Sequence, residues 1–167
     1  PMRTVIGGDA PGAGNLLSGN AGSGLVISGV QNLMPMGMTV RGNLVGTSAT
    51  GDAALPNGAH GVAVSMGARG IVCGGAGAGE GNVISGNTGC GLYLSTQAEY
   101  SYGIDILGNR IGAGRSGGAL GNGSHGIHFE GFATQTVVGD AGPDGGNLIV
   151  HNGGAGIWLQ SQYNFGV

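Results

Sequence analysis

Five glycine-led pentads carry the side chains with the most chemical reach: Gly24-Leu-Val-Ile-Ser, Gly61-Val-Ala-Val-Ser, Gly91-Leu-Tyr-Leu-Ser, Gly126-Ile-His-Phe-Glu and Gly156-Ile-Trp-Leu-Gln. In an extended strand successive side chains point to opposite faces. If the pentads lie over one another, one outward row reads Val26, Ala63, Tyr93, His128, Trp158 and a second reads Ser28, Ser65, Ser95, Glu130, Gln160. The rings of Tyr93, His128 and Trp158, beside the hydroxyl, carboxylate and amide of Ser95, Glu130 and Gln160, would make a platform for the face of a neutral sugar. The same rings suit a strand with no ligand, where aromatic neighbours stack for stability alone.

Other groups offer less. His60 and His125 close equivalent loops two coils apart, about 10 Å, too far to share a metal at Zn–N distances of about 2.0–2.1 Å. A loop-closing or solvated role is expected for both. Asp140 and Asp144 share one glycine-rich loop, with Asp9 at the related position in the first. Calcium is the one cofactor they could attract, yet it takes roughly 6–8 oxygens, and Asp is also an ordinary turn residue. No metal ligand set is therefore assigned. A lyase or epimerase would need a base and clustered carboxylates or calcium. Arg41 and Asp105 are outward candidates, expected two coils apart with no neighbouring row supplying a second acid. No serine stands in a nucleophile-elbow motif.

Composition narrows the classes. The 167 residues include 42 glycines without collagen spacing, alongside 40% apolar residues, which disfavours disorder. Lysine is absent, and five basic against eight acidic residues leave a net charge of -3, so the electrostatic footprint of a nucleic-acid binder is missing. No apolar run approaches the ~18 residues needed to span a bilayer. Cys73 and Cys90 do not make a disulfide framework; two packed thiols are expected, with pairing left open.

The elements that position these residues follow from a repeat. GNLLSGNAGSGLVIS (Gly14–Ser28) returns as GNVISGNTGCGLYLS (Gly81–Ser95) and GNLIVHNGGAGIWLQ (Gly146–Gln160), at offsets of 67 and 65 residues. A fixed period of this size marks stacked units that bury apolar surface only against their neighbours. Runs of three to five apolar residues alternating with Gly and Asn predict strands, with almost no helix. The pentad glycines are 37, 30, 35 and 30 residues apart, and each interval reads as one coil. In alternate coils a Gly-Asn bend joins two strands, as in MTVRGNLVG and IDILGNRIG, and a long loop follows (Thr47–His60, Ala113–His125). In the others the loop moves to the preceding corner (Gly74–Gly81, Gly139–Gly146). The expected fold is all-β: a parallel β-helix of about five coils of three short strands, one domain over 1–167.

The GNxIxGNxxxGIxI pattern, with VGTSATGDAALPNGAHG (Val45–Gly61) and IGG segments, resembles right-handed parallel β-helix repeats, pectate-lyase-like solenoids of large bacterial secreted and surface proteins, over nearly the whole chain. The resemblance implies three parallel sheets around an apolar interior and asparagine ladders at the corners, with Asn43 and Asn109 in one and Asn20, Asn87 and Asn152 in another. It implies an extracellular or cell-surface bacterial location. It does not imply an activity, because the same solenoid carries lyases, epimerases, adhesins and stalks. The polar caps a solenoid needs are not legible at Pro1 or at Phe165-Gly-Val167, which points to truncation or to end-to-end association into filaments. The leading expectation is a non-enzymatic extracellular structural or stalk module, a fragment of a longer repeat protein or a self-associating one, whose partners are flanking repeats or itself. A carbohydrate-binding module comes second and a polysaccharide lyase or epimerase third.

Overall fold

The computed structural model describes residues 4–29, 37–65, 67–95, 101–131, 133–140 and 142–160. The termini on which the capping expectation rests lie outside them. The described residues form a parallel β-solenoid without α-helix. Strands, numbered in chain order, are dealt in turn to three sheets. The first holds β1 (Thr4–Gly7), β4 (Met38–Arg41), β7 (Arg69–Gly74) and β10 (Ser101–Leu107), with β13 (Ala133–Thr134) and β14 (Val137–Val138) both paired to β10. The second holds the two-residue strands β2 (Leu16–Leu17), β5 (Leu44–Val45), β8 (Val83–Ile84), β11 (Arg110–Ile111) and β15 (Leu148–Ile149). The third holds the pentads: β3 (Leu25–Ser28), β6 (Val62–Ser65), β9 (Leu92–Ser95), β12 (Ile127–Glu130) and β16 (Ile157–Gln160).

Alternation along each strand turns one set of residues inward. Val40, Cys73 and Ile106 line up from the first sheet. Val45, Ile84 and Ile111 do so from the second, and Ile27, Val64, Leu94 and Phe129 from the third; together they form one continuous buried core. Each such side chain contributes about 1.5–3 kcal/mol by leaving water. Cys73 belongs to this core and Cys90 is buried before β9; both are free thiols. Burial pushes the Cys73 thiol up to about 12, so it stays protonated and inert.

The corners are tied by two asparagine columns. Asn15, Asn43, Asn82, Asn109 and Asn147 form the first, each side-chain amide donating to the next oxygen at 2.9–3.1 Å. Asn20, Asn57, Asn87, Asn122 and Asn152 form the second at 2.8–2.9 Å. The first column contains Asn43 and Asn109, and the second Asn20, Asn87 and Asn152; the further members are Asn15, Asn82 and Asn147, from the Gly-Asn pairs that open the longest repeat, and Asn57 and Asn122, from the long loops.

Loops and tight bends alternate at each corner. At the corner between first and second sheets, the first, third and fifth coils carry loops, and the coils between them carry a glycine bend. Gly108 shows why the bend must be glycine: its φ is +65°, and an added Cβ would lie 2.3 Å from Gly75 O and 2.6 Å from Asp144 O, loop backbone on both sides. Gly108→Ala should cost at least about 2 kcal/mol, since left-handed strain is joined by a clash with backbone that cannot step aside; urea unfolding measures it, and a change below about 0.5 kcal/mol would show that the corner yields.

Candidate functional site

The third sheet presents the aromatic row. Tyr93 pairs with His128 and His128 with Trp158 in parallel register, continuing Val26 and Ala63. The rings face one another more than they face solvent. The His128 and Trp158 centroids are 4.3 Å apart at 18°, and Tyr93 meets His128 edge-on at 5.3 Å. His128, expected to face water, is only 8% exposed. Its neighbours above and below cover an outward-pointing side chain as thoroughly as a core does.

His60 and His125, expected in a loop-closing or solvated role, join the same file. His60 stacks on Tyr93 at 4.4 Å and 9°, while His125 packs on Trp158 at 4.4 Å and lies 5.5 Å from His128. Each directly precedes a pentad glycine, which returns its ring to the strand face. The signal available in the sequence was the His-Gly step itself, at His60-Gly61 and His125-Gly126. Each ring also bonds across a coil: His60 Nδ1 accepts the Cys90 N–H at 3.1 Å and His125 Nδ1 accepts the Ala155 N–H at 2.9 Å.

The polar row is turned onto the rings. The Tyr93 hydroxyl donates to Glu130 Oε2, and the His128 Nε2–Gln160 Oε1 pair is 3.1 Å apart. Ser28 and Ser65 bond to one another at 3.0 Å. Burial, then the Glu130 carboxylate, raise the Tyr93 phenol above its ordinary value, while Ser95 bonds it and pulls the other way. Protons therefore stay on Tyr93 through physiological pH.

His60 titrates in the opposite sense. Burial, and secondly the charge of His128, hold it below its ordinary 6.5. The folded chain resists a proton that the unfolded chain accepts, so this stability is present above pH 6.5 and is lost as pH falls through the depressed value. Unfolding free energy measured from pH 7.5 down to 5 should decline, and His60→Phe should reduce the proton uptake on unfolding by at most about one proton. An unchanged slope in the variant would remove His60 as its source.

The remaining candidates are placed elsewhere. Arg41 has acids close by, contrary to expectation: its Nη1 lies 2.6 Å from Glu80 Oε1 and 3.8 Å from Asp9 Oδ2. Both come from corner loops, which a comparison of strand rows does not reach. Asp105 pairs in register with Val72 and Val137. Asp140 and Asp144 are exposed in the fifth coil's loop, where Asp140 Oδ1 accepts the Gly142 N–H at 3.4 Å. Among the described residues no three His, Cys, Asp or Glu side chains converge as a metal site would require.

Sequence reasoning did not find the groove over the second sheet. Its outward row, Leu16, Leu44, Val83, Arg110 and Leu148, forms a floor between the two sets of corner loops, in two adjoining hollows of about 530 and 560 Å³ that Arg115 lines in common. No protein family matches this chain, and neither does any curated protein or solved structure.

Proposed function

We propose that the chain is a non-enzymatic structural module, a stalk segment of an extracellular bacterial protein built on a right-handed, pectate-lyase-like β-helix. One observation carries the reading: the outward groups with chemical reach are engaged with one another from coil to coil, as the asparagines are at the corners. Tyr93 holds Glu130, His128 meets Gln160, and the rings cover each other's faces. A catalytic or binding constellation leaves groups aimed at an absent substrate; a stalk uses them to tie one coil to the next. Arg41, an outward cation that could meet a uronate carboxylate, already has Glu80. The location is drawn from the resemblance of the repeat to solenoids of bacterial surfaces.

Trp158, 40% exposed, favours a second reading, a neutral-polysaccharide-binding module. One variant separates the two. Trp158→Ala should lower unfolding free energy by about 1 kcal/mol, the worth of a lost ring stack, while titration of wild type and variant with neutral oligosaccharides shows no binding. Saturable binding by the wild type that Trp158→Ala abolishes would replace the stalk with the binding module.

A further inference from the structure

The coils come in two kinds, and the kinds alternate. The first, third and fifth carry their loop between the first and second sheets and turn tightly before the third. The second and fourth turn tightly at that first corner and carry their loop at the next. Like loops stack on each other across the intervening coil. Ser116 bonds Asp52 through its N–H at 2.7 Å and its hydroxyl at 2.9 Å, and the Arg115 N–H donates to Gly51 O at 3.0 Å. At the other corner Arg41 bridges Asp9 and Glu80, and a Cβ on Gly79 would stand 2.6 Å from Asp9 O. Each loop thus fills the height of two coils, about 10 Å at one strand spacing per coil.

The tight bends depend on this. The Gly19 N–H donates to Leu55 O at 3.1 Å and the Gly86 N–H to Leu120 O at 3.0 Å, both carbonyls belonging to the loop of the following coil. His151 takes the same place in the fifth coil and the same left-handed backbone, φ +60° against +73° for both glycines. The inward-facing residues of that coil are also open: Leu159 is 72% exposed.

From this parity we infer that the open face of the fifth coil is an interaction surface for a solenoid coil of the second kind, with its loop beyond the second sheet, and not for a second copy of this chain. The inference rests on the reading of the chain as a stacking module. A copy stacked head to tail would present its first coil, which is of the fifth coil's own kind. Two like loops would then lie one strand spacing apart where the chain everywhere keeps them two apart, and the His151 bend would meet another tight bend in place of a loop carbonyl. A coil of the second kind satisfies both corners and extends both asparagine columns.

The test appends coils to the full chain. One fusion carries a copy of residues 101–131, second kind, after Val167; the other carries residues 69–95, first kind. The second-kind fusion should unfold in urea as one transition with a higher midpoint and an m-value larger by about a fifth, in proportion to the added surface. The first-kind fusion should keep the parent midpoint and leave its extra segment open to protease. Sedimentation of the unmodified chain over a wide concentration range should give a monomer. Equal stabilisation by both fusions, no gain from the second-kind fusion, or head-to-tail oligomers of the unmodified chain would each overturn the inference. The proposed stalk function fails by a different measurement, saturable glycan binding, so the two failures are distinguishable.

Discussion

Replacing Asn82 by alanine should lower unfolding free energy by about 3–4 kcal/mol, because several buried partners lose their bonds at once. Asn82, 1% exposed, accepts both the backbone N–H and the side-chain amide of Asn43 at 3.0 Å, and donates to Val40 O at 2.8 Å and Asn109 Oδ1 at 2.9 Å. Water cannot enter to replace these contacts, and each abandoned buried group costs about 1–3 kcal/mol. Against a typical total of about 5–15 kcal/mol the loss is large. Asn82→Asp keeps the shape but turns a carboxylate toward Val40 O and Asn109 Oδ1, so it should be no better tolerated. Asn15, exposed at the head of the same column, makes its ladder bond to Asn43 beside solvent; Asn15→Ala should cost less than about 1 kcal/mol. Urea unfolding of the variants decides it. Equal losses at the two positions would mean that solvent access, and with it the cost of an unmade bond, does not differ along the column.

Why the asparagines matter was only partly legible in the sequence. Asn43 and Asn109, and Asn20, Asn87 and Asn152, were implied by the resemblance to β-helix repeats, whereas Asn15, Asn82 and Asn147, which recur in the same longest repeat, were not singled out. Asn57 and Asn122 were hidden in long loops, where Asn reads as a turn residue. Only the stacking shows that the loops re-enter the corner and place these amides in the column. The register of the third sheet was readable, since period-two alternation and a leading glycine fix which pentad residues face each other; the first and second sheets have no such marker, and their register came only with the stacking. What lay beyond reach was the direction in which outward side chains lean. His128 and Tyr93 occupy outward positions, yet ring contacts with His60, His125 and Trp158 decide their burial, and those contacts join residues on either side of the pentad glycines. Arg41 likewise meets Glu80 through a loop whose path no periodicity encodes.

Phe129→Ala should cost about 3–5 kcal/mol, and its damage should be local. Phe129, 4% exposed, fills the inward row between Leu94 and Leu159, a position held by Ile27 and Val64 in the first two coils. The ring removed there leaves a cavity that neighbouring strands, pinned by their ladders, can close only in part. In a solenoid each coil touches only the coils beside it, so a defect spreads along the axis by loss of neighbour contacts and does not reach the far end directly. In the third sheet the fifth coil is held to β12 through β16, and the same strand supplies His128 to the ring file on its outer face. Amide exchange in Phe129→Ala should therefore rise most sharply in β12 and β16, while β3 and β6 keep most of their protection. Phe129→Leu, retaining most of the volume, should lose about 1 kcal/mol and leave the exchange pattern near that of the parent. Uniform loss of protection from β3 to β16 would show that the five coils open as one unit, and would replace coil-by-coil coupling with a single cooperative core.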